Sequence, residues 1–573
     1  MQQKLAEFRL VEPRPTVEIH LQDGQVIEGP RNARLEEFLR PYQDFENAPI
    51  VGAVVNGALR ELSIPIEMDS RVKLLTMKDE DGMRIYRRSL TFLLVMAFEE
   101  LYPALKLTID HSVAAGGYFC QVEGGPPLTA EQLSALENRM RAIVDADLPI
   151  KRDQVPLAQA IENFRRREYE DKVRLLAHRQ KDYLMLYSVG DHCDYLHGYM
   201  VPSTGYIRWF ALASIEDGFT LRFPRRRNPT GLLPLPDYPR MLSTFRQYGD
   251  WLEYLGIDSV GALNDAILGG RIRELILVSD ALHEQRISEI ASQVYREQDR
   301  IRVITIAGPT SSGKTTFSKR LSVQLLTHGI SPFPLEMDNY FVDRESTPKD
   351  EHGEYDFESI YSLDRVRLSR DLGRIIAGER VRLPRYNFKT GLSEAGEEVQ
   401  LDRGQIVILE GIHGLNPALI PEIPAESTYR IYVSALTQLN LDRHNRVSTT
   451  DTRLLRRVVR DVRERGHSAV DTIRRWASVG RGEKRWIFPF QENADVMFNS
   501  ALVYELSALK PLAEPLIRQI AYGTPEHIEG KRLLSLLEWF LPLDSNLVPD
   551  DSLLREFIGG SMLSDFRLWQ NHR

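Results

Sequence analysis

The stretch from Gly308 to Thr315, Gly-Pro-Thr-Ser-Ser-Gly-Lys-Thr, matches the phosphate-binding loop pattern G-x-x-x-x-G-K-[ST]. The apolar run 301–307 before it indicates a buried strand, and residues 316–326 after it have the spacing of an amphipathic helix. In this order the glycines let the backbone wrap around an anion, and the helix N-terminus adds partial positive charge. The sequence therefore predicts a nucleoside triphosphate site on a strand–loop–helix unit.

The side chains of this loop predict its ligands. Lys314 can reach the β- and γ-phosphates of a bound nucleotide, and the Thr315 hydroxyl can bind Mg²⁺. We therefore expect ATP and Mg²⁺ as cofactors. The predicted ATP-binding residues are Gly308, Pro309, Thr310, Ser311, Ser312, Gly313, Lys314, Thr315 and Thr316.

Composition limits the setting in which the loop works. A chain of 573 residues is too long for one core and should form about three or four domains. Its net charge of −8 gives no general attraction to nucleic acid or to anionic membranes. The only cysteines, Cys120 and Cys193, argue against a disulfide framework. The apolar run 90–98 is far shorter than the about 20 residues of a membrane span. We expect a cytoplasmic protein without a membrane segment.

Hydrophobic periodicity predicts a multidomain protein of mixed α/β and α+β class. Short alternating strands dominate the first 80 residues, and one helix is predicted over 155–176. Prolines 511, 515 and 542 predict breaks near the C-terminus. The predicted segments are an N-terminal tail 1–14, a β-grasp-like module 15–78, an α+β domain 82–225, a Pro-rich linker and helical connector 226–298, a phosphate-loop domain 299–500 with a parallel sheet flanked by helices, and a helical extension 501–573.

Two acidic residues follow apolar strands of the phosphate-loop domain. Asp338 comes after the predicted strand 333–337, and Glu410 comes after the predicted strand 406–409. The carboxyl ends of such strands face the ligand crevice. Asp338 could accept the proton of an attacking hydroxyl, or it could cap a helix or turn. Glu410 could hold Mg²⁺ or a water bound to it, or it could be a solvated strand end.

Arginines recur at helical intervals over 452–466. They lie on more than one face of the predicted helix, so they cannot all meet one ligand. We expect Arg453, Arg456 and Arg463 on a solvated basic face. The others are Arg457, Arg460 and Arg465.

Taken together, these motifs resemble the uridine kinase / phosphoribulokinase family over about residues 300–500. Beyond the phosphate loop the individual motifs are weak, but they occur in the family's order. They are Asp-Asn-Tyr-Phe at 338–341, Tyr-Asp-Phe-Glu at 355–358, Pro-Arg-Tyr-Asn-Phe at 384–388, Glu-Gly-Ile at 410–412, Arg-Arg-Val-Val-Arg-Asp at 456–461 with Arg-Gly at 465–466, and Ala-Asp-Val at 494–496.

The resemblance implies an ATP-dependent nucleoside kinase with assigned roles. Asp338 would be the general base for the 5′-hydroxyl of the nucleoside, and Lys314 would hold the phosphates. Arg460 and Arg465 would stabilise the transferring phosphoryl group from a mobile lid. Tyr386 would pack on the base, and two further side chains would hold the ribose hydroxyls. The substrate-binding residues implied are Tyr340, Glu358, Tyr386 and Arg457.

Departures from the family pattern leave the acceptor open. Glu358 stands where the family has Asp, Gly391 stands where uridine kinases carry a base-contacting His, and His467 replaces an Arg. Another sugar or a sugar phosphate is an alternative acceptor, and Arg385 and Lys389 favour it. A third reading is an RNA- or ribosome-associated regulator that uses the nucleotide as a switch.

Residues about 15–225 resemble the N-terminal part of threonyl-tRNA synthetase, a TGS-type domain followed by the editing domain. The closest local match is Asp-Tyr-Leu-His-Gly-Tyr-Met-Val-Pro-Ser-Thr-Gly at 194–205. The synthetase's two His, Cys and His metal ligands fall on side chains that cannot bind Zn²⁺, so we expect no zinc. These positions are Arg88, Phe92, Leu196 and Met200.

The nearby donors His192, Cys193 and His197 are expected in ordinary surface or core roles, because adjacent loop ligands are awkward geometrically. The basic run 165–167 could contact RNA, although a solvated helix face explains it too. The partners we expect are a nucleoside substrate and no membrane. RNA contact by the N-terminal half and homo-oligomerisation stay open.

Overall fold

A computed structural model describes residues 12, 14–113, 116–236, 238–351, 353–402 and 404–566. The chain divides into two compact units. The first unit contains residues 1–160, 181–235 and 521–528, and the second contains 161–180, 236–520 and 529–573.

The chain begins with a five-stranded sheet of order β2-β1-β5-β3-β4, in which β1 is parallel to β5 and the other neighbours are antiparallel. Val17, Ile19 and Leu21 alternate with more exposed residues and are buried. The strands and the short helix expected here are confirmed. The elements are β1 Thr16–Leu21, β2 Val26–Pro30, α1 Leu35–Leu39, β3 Ile50–Val55, β4 Ala58–Arg60 and β5 Ser70–Thr76.

The following α+β region has a four-stranded antiparallel sheet, β11-β12-β7-β6, and a three-stranded one, β10-β9-β8. Helix α2 supplies much of the apolar core. The elements are α2 Glu80–Leu101, β6 Lys106–Val113, β7 Gly117–Glu123, α3 Ala130–Asp145, β8 Lys151–Pro156, α4 Leu157–Arg166, α5 Glu170–Ala177, β9 Tyr183–Val189, β10 His192–Asp194, β11 Ala211–Ile215 and β12 Gly218–Arg222.

The single helix predicted over 155–176 is wrong. The strand β8 runs to Pro156, and two helices, α4 and α5, follow it. Glu168 lies between them with a φ of 59°, a left-handed conformation that an α-helix cannot continue through. Helical periodicity on both sides of Glu168 gave no sign of this break.

The connector is helical, as expected, and comprises α6 Pro239–Tyr254, α7 Val260–Leu268 and α8 Ile272–Arg296. None of the helices in the described ranges is long and apolar enough to cross a lipid bilayer.

A parallel sheet of order β14-β17-β13-β18-β19 carries the phosphate loop, which confirms the predicted parallel sheet. Ile304 and Ile306 of its central strand pack with Phe317 on one face, and Val303 packs with Leu409 on the other. The elements are β13 Val303–Ala307, α9 Lys314–Thr327, β14 Pro332–Glu336, α10 Arg365–Ile376, β15 Val381–Asn387, β16 Leu392–Val399, β17 Ile406–Glu410, β18 Thr428–Ser434, α11 Thr449–Arg465, α12 Ala469–Trp486 and β19 Val496–Asn499.

The extension is largely helical, but two of its prolines do not break it. Pro511 and Pro515 lie inside one helix, whose buried Leu506, Leu509 and Ile517 hold it in place through tertiary packing. The predicted breaks at these prolines are wrong. The elements are α13 Glu505–Ile517, α14 Pro525–Leu537 and α15 Arg555–Ile558.

Candidate active site

The phosphate loop joins β13 to α9 and has the close backbone approach that its glycines permit. A Cβ on Gly308 would lie 1.9 Å from the carbonyl oxygen of Val433, so no larger residue fits there. Gly313 has a φ of 87°, which turns the chain into α9. The buried hydroxyl oxygens of Ser311 and Ser312 have no hydrogen-bond partner among the described residues. The loop is therefore a cradle with polar atoms left open for an anion.

Lys314 begins α9 and folds back over the loop. Its Nζ donates a hydrogen bond to the carbonyl oxygen of Pro309 at 3.2 Å, and the side chain is largely buried. Its positive charge lowers the pKa of Asp338, Glu358 and Glu410, so all three carboxylates lie within its electrostatic reach. The predicted phosphate lysine thus lies among the other predicted site residues.

A buried ion pair braces the loop at Thr310. The guanidinium of Arg453 pairs with the carboxylate of Glu483 from α12. The Arg453 Nε donates to the Thr310 carbonyl at 2.9 Å, and the Thr310 N–H donates to Glu483 Oε1 at 3.1 Å. One ion pair thus holds both the backbone N–H and the backbone carbonyl of Thr310.

A second buried ion pair lies beside it. Arg456 Nε donates to Glu505 Oε2 at 2.6 Å, and Arg456 NH2 donates to the carbonyl of Ser500 at 2.8 Å. The solvated face expected for Arg453 and Arg456 is therefore wrong, because distant carboxylates neutralise both arginines inside the protein. Glu483 and Glu505 belong to no recognisable motif, so no local pattern could predict their role.

Thr315 and Glu410 lie together at the start of α9, with Thr315 Oγ1 donating to Glu410 Oε2 at 3.3 Å. Burial raises the pKa of Glu410, Lys314 lowers it and the neighbouring carboxylates, Asp338 first among them, raise it; together they bring it to about 7. A hydroxyl and a carboxylate are oxygen donors of the kind that Mg²⁺ prefers. The two predicted metal residues fit that ion.

Asp338 lies in a short 3₁₀ turn directly after β14 and stays accessible to solvent. Desolvation by the surrounding protein raises the pKa of its carboxyl, and the charges of Lys314 and Arg465 act to lower it. The alternative role of a helix cap does not apply, since the turn begins at Met337 and its N-cap residue is Glu336. The carboxylate is free to face an acceptor group.

The two predicted lid arginines, Arg460 and Arg465, and the predicted substrate residue Arg457 gather around Asp461 of their own helix, α11. Arg457 Nε and Arg460 NH2 donate to its carboxylate at 3.1 and 3.0 Å, and Arg465 lies 3.7 Å from it. Burial raises the pKa of Asp461, but Arg460 and Arg457 outweigh that effect and leave it below the usual range. Arg463 lies apart from them: it is exposed, as expected, and donates to the carbonyl of Phe557 at 2.7 Å.

An aromatic cluster lies next to Asp338 in the sequence and continues on the hairpin β15–β16. The ring of Tyr386 lies 5.4 Å from that of Phe341 and 5.0 Å from that of Phe388, and Phe357 borders the cluster. The buried hydroxyl of Tyr386 has no hydrogen-bond partner among the described residues. By contrast, Tyr340 is fully buried in the core beneath the sheet, so its side chain is not presented to a ligand.

Glu358 and Arg457 are electrostatic neighbours. Burial and then Glu483 raise the pKa of Glu358, which reaches about 7, whereas Arg457 and Lys314 lower it. Glu358 Oε2 and Arg457 NH1 are both buried and lack a hydrogen-bond partner within the described ranges. Glu358 therefore has an unused hydrogen-bond acceptor, and Arg457 has an unused donor.

The N-terminal positions predicted to correspond to zinc ligands are occupied by one arginine and three apolar side chains. Arg88 NH1 donates to the carbonyl of Tyr199 at 2.6 Å, and a Cβ on Gly198 would lie 2.5 Å from the Arg88 guanidinium carbon. Phe92 packs against the ring of His192 at 4.9 Å, and Leu196 and Met200 are buried. Across the residues that the structure describes, no three His, Cys, Asp or Glu side chains form a group suited to a metal ion. The expectation of no zinc stays a prediction.

Residues 303–507 match the model of the Phosphoribulokinase / Uridine kinase family. This range contains the phosphate loop, both carboxylates and the lid arginines described above, and the match supports a P-loop kinase in this part of the chain. A solved structure, "Structure of a Possible Uridine Kinase from Bacillus stearothermophilus", is 20% identical and covers 37% of this chain and 97% of its own, with a TM-score of 0.27.

The N-terminal half matches threonine–tRNA ligases. The enzyme of Desulforamulus reducens is 30% identical over 204 residues, which are 35% of this chain and 32% of the ligase. The enzyme of Geobacter sp. (strain M21) is 32% identical over 169 residues, 30% of this chain and 26% of the ligase. The chain thus spans about a third or less of the curated relatives that it matches.

Proposed function

We propose that the phosphate-loop domain transfers a phosphoryl group from ATP to the 5′-hydroxyl of a nucleoside of the uridine or cytidine type. The observation that carries the proposal is the grouping of Lys314, Asp338 and Glu410 at one edge of the parallel sheet. Lys314 follows β13 and its loop, Asp338 follows β14, and Glu410 ends β17. The family match over 303–507 supports a kinase of this kind. An acceptor of nucleoside type is supported by the aromatic and polar groups beside that cluster.

In this reaction Lys314 holds the phosphates while Asp338 accepts the proton of the attacking hydroxyl. The carboxylate of Asp338 can do so because it is accessible and is not committed to a cap. Arg460 and Arg465 neutralise charge on the transferring group once they exchange Asp461 for phosphate oxygens. Thr315 and Glu410 would hold Mg²⁺, which neutralises charge on the phosphate oxygens.

The acceptor site favours a planar base joined to a diol. Phe341, Tyr386 and Phe388 supply ring faces on which a base can stack, and the buried Tyr386 hydroxyl offers it a hydrogen bond. Glu358 and Arg457 offer an acceptor and a donor to two neighbouring hydroxyls. A ribonucleoside has both features.

A sugar phosphate is the weaker candidate. Its phosphate would need cations facing the aromatic cluster, and the sequence offers Arg385 and Lys389 there. Along β15, Tyr386 is buried while Arg385 is exposed and lies opposite Glu394 of β16. Because neighbouring side chains on a strand point to opposite faces, Arg385 lies away from the acceptor.

For the N-terminal half we propose TGS-like and editing-like folds that contact RNA or a regulatory ligand without metal chemistry. The similarity to threonine–tRNA ligases supports this proposal, and so does the replacement of all four metal-ligand positions. A regulator whose nucleotide is only a switch is less favoured, since Asp338 and Glu410 are both present in the site.

ADP release from the full chain tests the proposal, measured with a panel of nucleosides, ribose, sugar phosphates and RNA. We expect turnover with uridine or cytidine and none with 5′-deoxyuridine, which lacks the acceptor oxygen. The Lys314→Ala variant should remain folded and inactive, because it loses the charge on the β- and γ-phosphates. Turnover only with sugar phosphates, or turnover within about tenfold of wild type in Lys314→Ala, would contradict the proposal.

A further inference from the structure

The C-terminal segment 552–564 packs against the phosphate loop and the helix after it. Leu553 is 1% exposed, and its side chain fills the space where a Cβ on Gly313 would lie. Phe557 is fully buried, with the guanidinium of Arg456 4.8 Å from the centre of its ring. The segment is thus a fixed part of the nucleotide site rather than a loose tail.

This segment brings one carboxylate to the anion position of the loop. Glu556 Oε2 accepts a hydrogen bond from the backbone N–H of Thr316 at 3.1 Å. Thr316 is the third residue of α9, and its N–H is one of the first four that no carbonyl within the helix can pair. In a phosphate-binding loop these are the groups that face the phosphates. The Glu556 carboxylate therefore takes a hydrogen bond that a nucleotide phosphate would otherwise take.

The carboxylates around the loop also oppose a bound phosphate. Glu556 raises the pKa of Glu410, as do Asp338 and Glu336, so all three carboxylates lie within electrostatic reach of Glu410. Lys314 is the cation that opposes this effect at Glu410. A triphosphate adds more negative charge, so the Glu556 carboxylate is an unfavourable neighbour of a phosphate on the Thr316 N–H.

The backbone on both sides of Glu556 is held firmly. Arg463 donates to the carbonyl of Phe557 at 2.7 Å, and Lys319 Nζ donates to the carbonyls of Leu563 and Ser564 at 2.6 and 3.0 Å. With these anchors and the buried Leu553 and Phe557, binding of a phosphate requires only the Glu556 side chain to rotate. The segment need not detach.

We propose that Glu556 is a built-in competitor of the nucleotide: its carboxylate occupies the phosphate position on Thr316 in the free protein and rotates away when a triphosphate binds. The inference rests on the proposed function, because it requires that this loop bind a nucleotide. Its consequence is a nucleotide affinity set below the value that the loop alone would give.

Calorimetric titration of the full chain with MgATP, and separately with inorganic tripolyphosphate, tests this competition. Glu556→Gln keeps the size of the side chain and removes its charge, and Glu556→Ala removes the side chain. Both should tighten binding of both probes by about two- to tenfold, the range expected for a charge at a helix N-terminus. Asp550→Asn, at a carboxylate just before this segment whose side chain is 74% exposed, should leave the affinity unchanged.

Melting curves identify any variant that fails to fold, and Lys314→Ala reports whether binding uses the loop. If binding is lost in Lys314→Ala but is unchanged in both Glu556 variants, the competition is refuted and the nucleotide site stands. Weaker MgATP binding in Glu556→Gln also refutes it, since the carboxylate would then be helping to hold the metal. If the Lys314→Ala variant binds MgATP as tightly as the wild type, the proposed function fails and the inference fails with it.

Discussion

Asp338 has no evident structural role among the residues described, which favours a role in catalysis. It is accessible, it caps no helix, and its charge is felt by Lys314, Arg465 and Glu410. A surface aspartate with only a solubility role would not be expected beside a phosphate lysine and a lid arginine. Its position supports the assignment as general base.

The Asp338→Asn variant should lose turnover and keep ATP affinity. The amide is nearly the same size as the carboxylate but cannot accept the acceptor's proton, so we expect kcat to fall by about 10²–10⁴-fold. Steady-state kinetics and ATP titration measure the two quantities. Loss of ATP binding instead would assign Asp338 to the metal site.

Glu410 should make Mg²⁺ binding depend on pH. Burial raises the pKa of its carboxyl to about 7, so below that pH a proton competes with the metal ion for the same oxygens. The apparent affinity for MgATP should therefore rise between about pH 6 and pH 8. Titrations across this range measure it. In Glu410→Gln the affinity should be lower and this rise should be absent; a rise that persists would contradict the assignment.

At the scale of elements, α11 combines two functions. Arg453 and Arg456 are buried and contact the carbonyls of Thr310 and Ser311 in the phosphate loop, with Glu483 and Glu505 as their ion-pair partners. Arg457, Arg460 and Arg465 gather around Asp461 instead. One helix thus connects the loop that holds phosphate with the cations expected on the lid. Arg453 and Arg457 are four residues apart, as are Arg456 and Arg460, so members of the two groups are neighbours on the helix and are separated by their partners rather than by face.

Arg456→Ala should destabilise the unit that contains the phosphate loop. Removal of the arginine leaves Glu505 buried without its cation, which costs about 3–5 kcal/mol for a broken buried pair. Denaturant unfolding measures the loss. Arg465→Ala is the matched control, because its side chain is 53% exposed and its loss should cost less than about 1 kcal/mol. Equal losses in the two variants would contradict the bracing role.

At the scale of the whole molecule, the chain joins a part that matches a kinase family to a part that matches threonine–tRNA ligases. We expect the purified protein to contain no zinc and its Tm to be unaffected by chelators, because Arg88, Phe92, Leu196 and Met200 cannot replace the missing donors. Elemental analysis and melting curves with and without a chelator measure this. About one zinc per chain, lost on mutation of His192, would overturn the prediction and reopen metal-dependent hydrolysis.

The sequence by itself determined the features that depend on neighbours along the chain. The strand, loop and helix around Lys314 follow from local spacing, and so do the strands that end at Asp338 and Glu410. Alternating apolar residues likewise predicted the strands of the first 80 residues. Local patterning failed at Glu168 and at Pro511, where one backbone angle or tertiary packing outweighs periodicity.

Only the tertiary structure decided which charges meet. Glu505 lies 49 residues from Arg456, and Glu556 lies 240 residues from Thr316, so no local pattern could pair them. A run of arginines predicts a solvated face by default because burial of a charge is unfavourable without a partner. The partners come from distant segments that the fold brings together. The phosphate-loop motif can therefore be recognised from the sequence, whereas the partners of the charges around it depend on tertiary packing.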